Sequence, residues 1–199
     1  MTDKNPPHQP CSTALDLLNR RRSSPVRTLH PPAPDRETLE RIITAATRVP
    51  DHGRLSPWRI LEIPADHRAS LAAALQQRHR EVDPDIADAA LDKDGQRFGD
   101  SPMLLVVIAR ITEDHKVPVL EQLLSGGCVC FALLQAAQAM GYAGQWLTGW
   151  AAYDPGVAQI LGMTENERVL GFIHLGSAGQ EAPERVRPAL GDVFQQWQP

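Results

Sequence analysis

Residues 119–141 read VLEQLLSGGCVCFALLQAAQAMG, from Val119 to Gly141, the longest run in the chain that is apolar on nearly every side. Leu120, Leu123, Leu124, Val129, Phe131, Leu133, Leu134, Ala136, Ala137 and Met140 fit a 3.6-residue period, and the positions between them are mostly Ala, Gly, Ser and Cys rather than charges. A helix without a wet face belongs inside a larger body. Glu121, Gln122, Gln135 and Gln138 interrupt the run too often for a bilayer span, and Gly141 supplies the stop of a soluble helix. The stretch therefore predicts the central helix of a globular core. Ser125, Gly126, Gly127, Cys128 and Ala132 either fit tight packing or leave room for another backbone or a flat ligand.

On both sides of this helix the chain mixes strands and helices. Toward the N-terminus, Met103 to Ala109 after Pro102 is a continuous apolar run bounded by breakers, which predicts a strand covered on both faces. Arg59 to Ile63 predicts a short strand ended by Pro64, with Asp66 capping a helix that carries Leu71, Ala74 and Leu75. Residues 83–99 are charged and weakly patterned, with only Ile86, Ala90 and Leu91 as a stripe, and predict a mobile helical excursion. Toward the C-terminus, Tyr142 to Trp150 predicts a strand interrupted by Gly144 and Gly149, Asp154-Pro155 a capped helix start, and Arg168 to Gly176 another buried strand. Asp35 or Thr38 opens a helix with Leu39, Ile42, Ile43 and Ala46 on one face, after the Pro-rich connector His30 to Pro34.

Length and composition bound the function. A chain of 199 residues fits one large domain, and a net charge of −4 gives no reason to expect nucleic acid or an anionic membrane as partner. Met1 to Gln9 is polar and Pro-rich, without the apolar segment of a signal peptide, so the expected compartment is the cytosol. Cys11, Cys128 and Cys130 read as reduced packing residues, the latter two diverging on a helix. The histidines show no zinc-type pairing, so no metal is expected. No glycine fingerprint, phosphate loop or nucleophile elbow is present.

Two polar constellations remain. A short helix from about Ser12, its N-cap, to Arg22 ends in Arg20-Arg21-Arg22-Ser23-Ser24-Pro25-Val26-Arg27, four guanidiniums and two hydroxyls in one turn and loop. Such a knot is either a solvated helix end, where cations oppose the dipole, or a phosphate site, since Arg forks match phosphate oxygens. The loop Asp51-His52-Gly53-Arg54-Leu55-Ser56-Pro57-Trp58, after Arg48-Val49-Pro50, is loaded with donors. His52 there is either an ordinary surface histidine or part of a site. From the residues alone, a phosphorylated ligand is as far as the reading goes.

The order of these pieces resembles the nitroreductase family of flavin mononucleotide (FMN) enzymes, and in particular its small bacterial members with an Asp-His loop, over nearly the whole chain from about Ala14. Arg21-Arg22-Ser23 stands where that family has its flavin-phosphate signature. Arg48 to His52 with Ser56-Pro57-Trp58 is similar to the loop in which a side chain at the position of His52 approaches the flavin. His115 to Pro118, the central helix, and Gly141-Tyr142-Ala143-Gly144-Gln145-Trp146 are similar to the helix and glycine turn on the flavin's other face.

The resemblance implies an α+β fold, with a mostly antiparallel central sheet flanked by helices around a long buried central helix. It implies one FMN-binding domain over residues 12–199 behind a disordered tail of residues 1–11, closed by a C-terminal dimerisation arm. It assigns FMN contacts to Arg21, Arg22, Ser23, Arg48, His52, Trp146, Leu147, Thr148 and Arg187. Many members carry a cation two residues after the signature Ser; here that position is Pro25, which leaves Arg27 or Arg48 to supply charge at the pyrimidine edge. An intertwined cytoplasmic homodimer with two shared flavin sites is implied, with Phe194 and Trp197 gripping the partner or packing within the chain. NAD(P)H would reduce the flavin and a nitroaromatic or quinone-like small molecule would reoxidise it by a ping-pong mechanism. No catalytic side chain is needed for this, because the flavin carries the chemistry. The competing expectation is an FMN-binding sensor or storage protein without turnover.

Overall fold

The computed structural model describes residues 12–179 and 182–198. The expected tail and the capping side chain of Ser12 lie outside the described residues. Within them the fold is α+β, as expected. The longest strand, β5 (Glu167–Ala178), pairs antiparallel with β3 (Met103–Arg110) and β4 (Ala143–Leu147), and its end also pairs with the two-residue β1 (Leu29–His30). On its other side β3 pairs antiparallel with β2 (Trp58–Ile63).

Because successive side chains on a strand point to opposite faces, the continuous apolar run in β3 feeds two cores. Met103, Leu105 and Val107 pack with α2 (Arg36–Ala46) and α5 (Val119–Ala139). Leu104, Val106 and Ile108 pack with α3 (Ala65–Val82), α4 (Asp88–Gly99) and α6 (Pro155–Ile160). The sheet is therefore the middle of three layers.

The caps follow the side-chain chemistry, with one change. Asp35, not Thr38, is the N-cap of α2, its carboxylate accepting from Thr38 N at 2.8 Å. Asp154 caps α6 through Val157 N at 2.9 Å. Asp66 does not cap α3: Pro64 takes that place with φ −58°, and Asp66 sits in the first turn, where a carboxylate meets only the helix dipole. Gly141 ends α5 as expected of a glycine at that point, with φ 85°.

Three expectations are corrected. The first helix, α1, spans Ser12–Asn19 and stops short of the arginines; Arg22 Nη1 donates to Asn19 O at 3.1 Å, so a side chain takes the carbonyl that another turn would have used. The strand after α5 is only Ala143–Leu147, because Gly149 turns the chain at φ 71° into a 3-10 turn at Trp150–Ala152. Within residues 83–99 the expected helix is α4, Asp88–Gly99, and it is packed on α3 rather than loose, through Leu91, Asp94 and Phe98. Asp94 was hidden from sequence reasoning because a buried carboxylate needs partners distant in sequence. It has them: His79 Nδ1 at 2.6 Å and Trp150 Nε1 at 3.0 Å, with the His79 ring stacked 4.0 Å from that of Trp150.

The central helix differs from expectation in one respect that matters for assembly. By length and composition α5 could cross a membrane, but Val129, Cys130, Leu133 and Ala137 are buried against the sheet and α2. Burial pushes the Cys130 thiol up to about 12, leaving it an inert packing group. The opposite face is apolar yet open in a single chain: Leu120, Leu124 and Phe131 are 65%, 59% and 43% exposed, with Cys128 exposed between them. The C-terminal Phe194 and Trp197, beyond α7 (Leu190–Val193), are 67% and 82% exposed, so they do not pack within the chain.

Candidate functional site

The arginine knot leaves α1 and runs along the free edge of β4. Ser24 N donates to Gly144 O at 3.1 Å, and Val26 N to Gln145 Oε1 at 2.9 Å. This attachment holds Arg21 and Arg22 over a cavity of about 210 Å³ lined also by Arg20, Ser24, Gln138 and Gly144. Arg21 Nη1 donates to Ser23 Oγ at 3.2 Å, and Arg187 Nη2 reaches Arg21 O at 3.5 Å, so the C-terminal segment returns to the signature. Arg22 pairs with Glu184.

The electrostatics of this cluster are one-sided. Burial, then the neighbouring charges of Arg187, Arg22 and Arg185, hold the Arg21 guanidinium below its ordinary value. Four guanidiniums thus crowd together with one paired carboxylate, Glu184, among the described residues. Repulsion of that kind is relieved by an oxyanion, and a phosphate with its several acceptor oxygens fits the donor set. The helix-end reading of the knot holds for Arg22, which bonds the Asn19 carbonyl at the end of α1, and does not account for the crowding of charge around Arg21.

Farther along β4, Trp146 lays its indole against β5, Nε1 donating to Leu170 O at 3.0 Å. A side chain at Gly171 would collide with that indole. Leu147, with Gln145 beside it, lines a second recess of about 380 Å³ together with Val26, Arg27, Lys93 and Arg97. Half-buried Thr148 follows directly. Arg27 therefore lies beside β4, whereas Arg48 is exposed at the end of α2, near the His52 loop. Lys93 and Arg97 were missed from the sequence, although their i, i+4 spacing is a signal: two like charges on one helix face are unfavourable without something between them.

The His52 loop sits elsewhere. His52 Nδ1 lies 2.7 Å from Glu121 Oε2 in the first turn of α5. The Asp51 carboxylate accepts from Leu55 N at 3.2 Å and Ser56 N at 2.8 Å, fixing a loop in which Gly53, Arg54 and Ser56 all have positive φ. Trp58 Nε1 donates to Ser125 Oγ at 3.2 Å, which donates to Pro50 O at 2.8 Å, tying the loop to α5. From Glu121 to Gln138, α5 rises about 25 Å at about 1.5 Å per residue. The structure thus brings Arg21, Arg22, Ser23 and Arg187 together and sets Trp146 and Leu147 on the adjoining strand with Thr148 just past its end, but it leaves His52, and Arg48 before its loop, toward the far end of α5.

These features define a cationic cluster at the edge of β4 whose donors suit a phosphate. The family model described as the nitroreductase family matches residues 18–177. Protein YdjA of Escherichia coli (strain K12), provisionally named an NAD(P)H nitroreductase, is 37% identical over 173 residues, covering 87% of this chain and 92% of that protein. The nitroreductase-like family protein of Bacillus cereus superposes with a TM-score of 0.80 at 19% identity, covering 96% of this chain and all of that one. A Desulfovibrio desulfuricans protein solved in complex with FMN gives a TM-score of 0.72 at 19% identity over 98% and 99% of the two chains. This chain belongs to the nitroreductase family.

Proposed function

We propose that the protein is an NAD(P)H-dependent nitroreductase that binds FMN noncovalently and passes electrons to nitroaromatic or quinone-like acceptors by a ping-pong mechanism. The observation that carries this reading is the crowded guanidinium cluster around Arg21 at the edge of β4. In this reading Arg21, Arg22, Ser23 and Arg187 hold the phosphate. Trp146, Leu147 and Thr148 contact the ring from the end of β4, and Arg27, Lys93 and Arg97 present positive charge at its pyrimidine edge. When bound, FMN supplies the hydride chemistry, and the protein orients the rings and stabilises charge. NAD(P)H and the acceptor take turns at the same exposed ring face.

The working unit is a homodimer of single domains spanning residues 12–199, in the cytosol. Two observations support the dimer: the open apolar stripe of Leu120, Leu124 and Phe131 on α5, and the unpacked Phe194 and Trp197. In a two-fold contact each patch meets its own copy; with the axis crossing α5 the two helices pack antiparallel, and the start of one lies near the end of the other. That arrangement carries Arg48 and His52 of one protomer toward the phosphate and ring of its partner, which one chain cannot do.

The experiment is direct. The purified protein is expected to be yellow, and to oxidise NAD(P)H steadily when a nitroarene or quinone is supplied. A colourless protein that cannot be reconstituted with FMN overturns the flavin reading, and flavin binding without NAD(P)H oxidation overturns the enzymatic one. Leu124→Glu, which puts a charge into the proposed contact while changing no buried residue, should convert dimer to monomer in light scattering and release FMN. A flavin-loaded wild-type monomer overturns the shared site.

A further inference from the structure

We propose that His52 is the proton donor to the reducible acceptor, with Glu121 as the positioning residue that fixes its ring. The proposal rests on the flavin-dependent reading above. Glu121 Oε2 takes the Nδ1 hydrogen of His52 at 2.7 Å, which leaves Nε2, on a side chain that is mostly exposed, as the ring nitrogen available to a ligand.

Three further observations separate this histidine from an ordinary surface one. Its side chain is 59% exposed, so it serves no packing role in the chain. Its loop holds non-glycine residues Arg54 and Ser56 at φ 54° and 47°, a strained backbone that persists only where the surroundings over-determine it. The surroundings do so through the Asp51 carboxylate and the Trp58–Ser125–Pro50 chain of hydrogen bonds. The charged neighbours of His52 are Glu121 from α5 and, in its own loop, Asp51 and Arg54; among the described residues only Glu121 pairs with it.

Both acceptor classes consume protons that the flavin alone does not supply. A quinone takes one hydride, which carries both electrons from the reduced cofactor to one carbonyl oxygen, and one proton on the other oxygen. That proton leaves Nε2 of the His52 imidazolium, giving a hydroquinone and a neutral imidazole that takes a new proton from water. A nitroarene takes two electrons and two protons and yields a nitroso compound and water; His52 supplies the proton that leaves with the departing oxygen.

The test compares two acceptors on the FMN-loaded dimer: a benzoquinone, which needs a proton, and ferricyanide, which takes electrons without one. His52→Gln should lower quinone turnover by about a hundredfold to ten-thousandfold, the range of general acid catalysis, with a much smaller change for ferricyanide. In wild type the quinone-to-ferricyanide ratio should fall as pH rises; in His52→Gln it should be flat. Glu121→Gln, which keeps an acceptor but drops the charge, should give an intermediate ratio. Equal losses for both acceptors would make His52 a cofactor-positioning group only and overturn the proposal, as would no loss for either. Absence of ferricyanide turnover in wild type would instead mark failure of the underlying flavin reading. Nitrogen-15 NMR of the flavin-free protein decides the ring state independently of turnover: the neutral form should carry its hydrogen on Nδ1, and the Nε2–H tautomer rules the arrangement out.

Discussion

Replacement of Arg21 by Ala should weaken FMN binding by about tenfold to a hundredfold and leave riboflavin binding nearly unchanged. A charge-assisted hydrogen bond contributes roughly 1.5 to 3 kcal/mol, and about 1.4 kcal/mol is tenfold in affinity. Riboflavin has the same ring and no phosphate, so only a phosphate contact separates the two ligands. The structure adds a second, opposite expectation for the ligand-free protein. Arg21 is destabilised there by burial and by Arg187, Arg22 and Arg185, so its removal relieves repulsion, and the empty variant should melt no lower than wild type. Calorimetric titration with both flavins and a melting curve of the flavin-free protein check the two halves. Equal losses for both flavins, or a marked drop in melting temperature, would mean that Arg21 supports the fold rather than the phosphate.

Acidification from pH 6.5 to 4.5 should cost the protein roughly 2 to 3 kcal/mol of stability, and His174 should be the source. This side chain in β5 is fully buried, its Nδ1 3.1 Å from Ser101 Oγ and its Nε2 without a partner among the described residues. Burial, and secondarily the charge of Arg97, lower its pKa to about 3. The folded protein therefore holds a neutral imidazole, while the unfolded chain binds a proton near the ordinary value of about 6.5. Stability is complete above that value and is lost progressively as pH falls toward 3. Asp154 and Glu167 are held below the usual carboxylate range by Arg78 and Arg59, so their contributions fade at lower pH, below about 4. The window from pH 6.5 to 4.5 thus lies above these carboxylates, and comparison with a variant at position 174 assigns the slope to His174. Urea midpoints measured across it should slope in wild type and flatten in His174→Gln; a flat wild-type profile would overturn the account.

Much of the fold was legible because its signals are local. The continuous apolar run and breakers around Met103–Arg110, the run that became β5, the caps at Asp35 and Asp154 and the stop at Gly141 each depend on a few adjacent residues. The cationic knot was legible for the same reason, since Arg21, Arg22 and Ser23 are consecutive. Arg187 was reachable only through family resemblance, because it is brought to Arg21 by the return of the C-terminal segment.

The sequence by itself determined the element types, the antiparallel-capable strands on either side of one long helix, and the cationic knot at the N-terminal end, all consequences of periodicity, capping and backbone restriction. Tertiary structure alone decided the rest. It chose Arg27 over Arg48 as the cation beside β4 and added Lys93 and Arg97 from a segment with almost no apolar pattern. It buried Asp94 between His79 and Trp150, joined His52 to Glu121, and opened one face of the helix that composition alone would have enclosed. Each of these depends on which residues meet across the sheet or along α5, and contact between positions tens of residues apart leaves no period in a sequence to read.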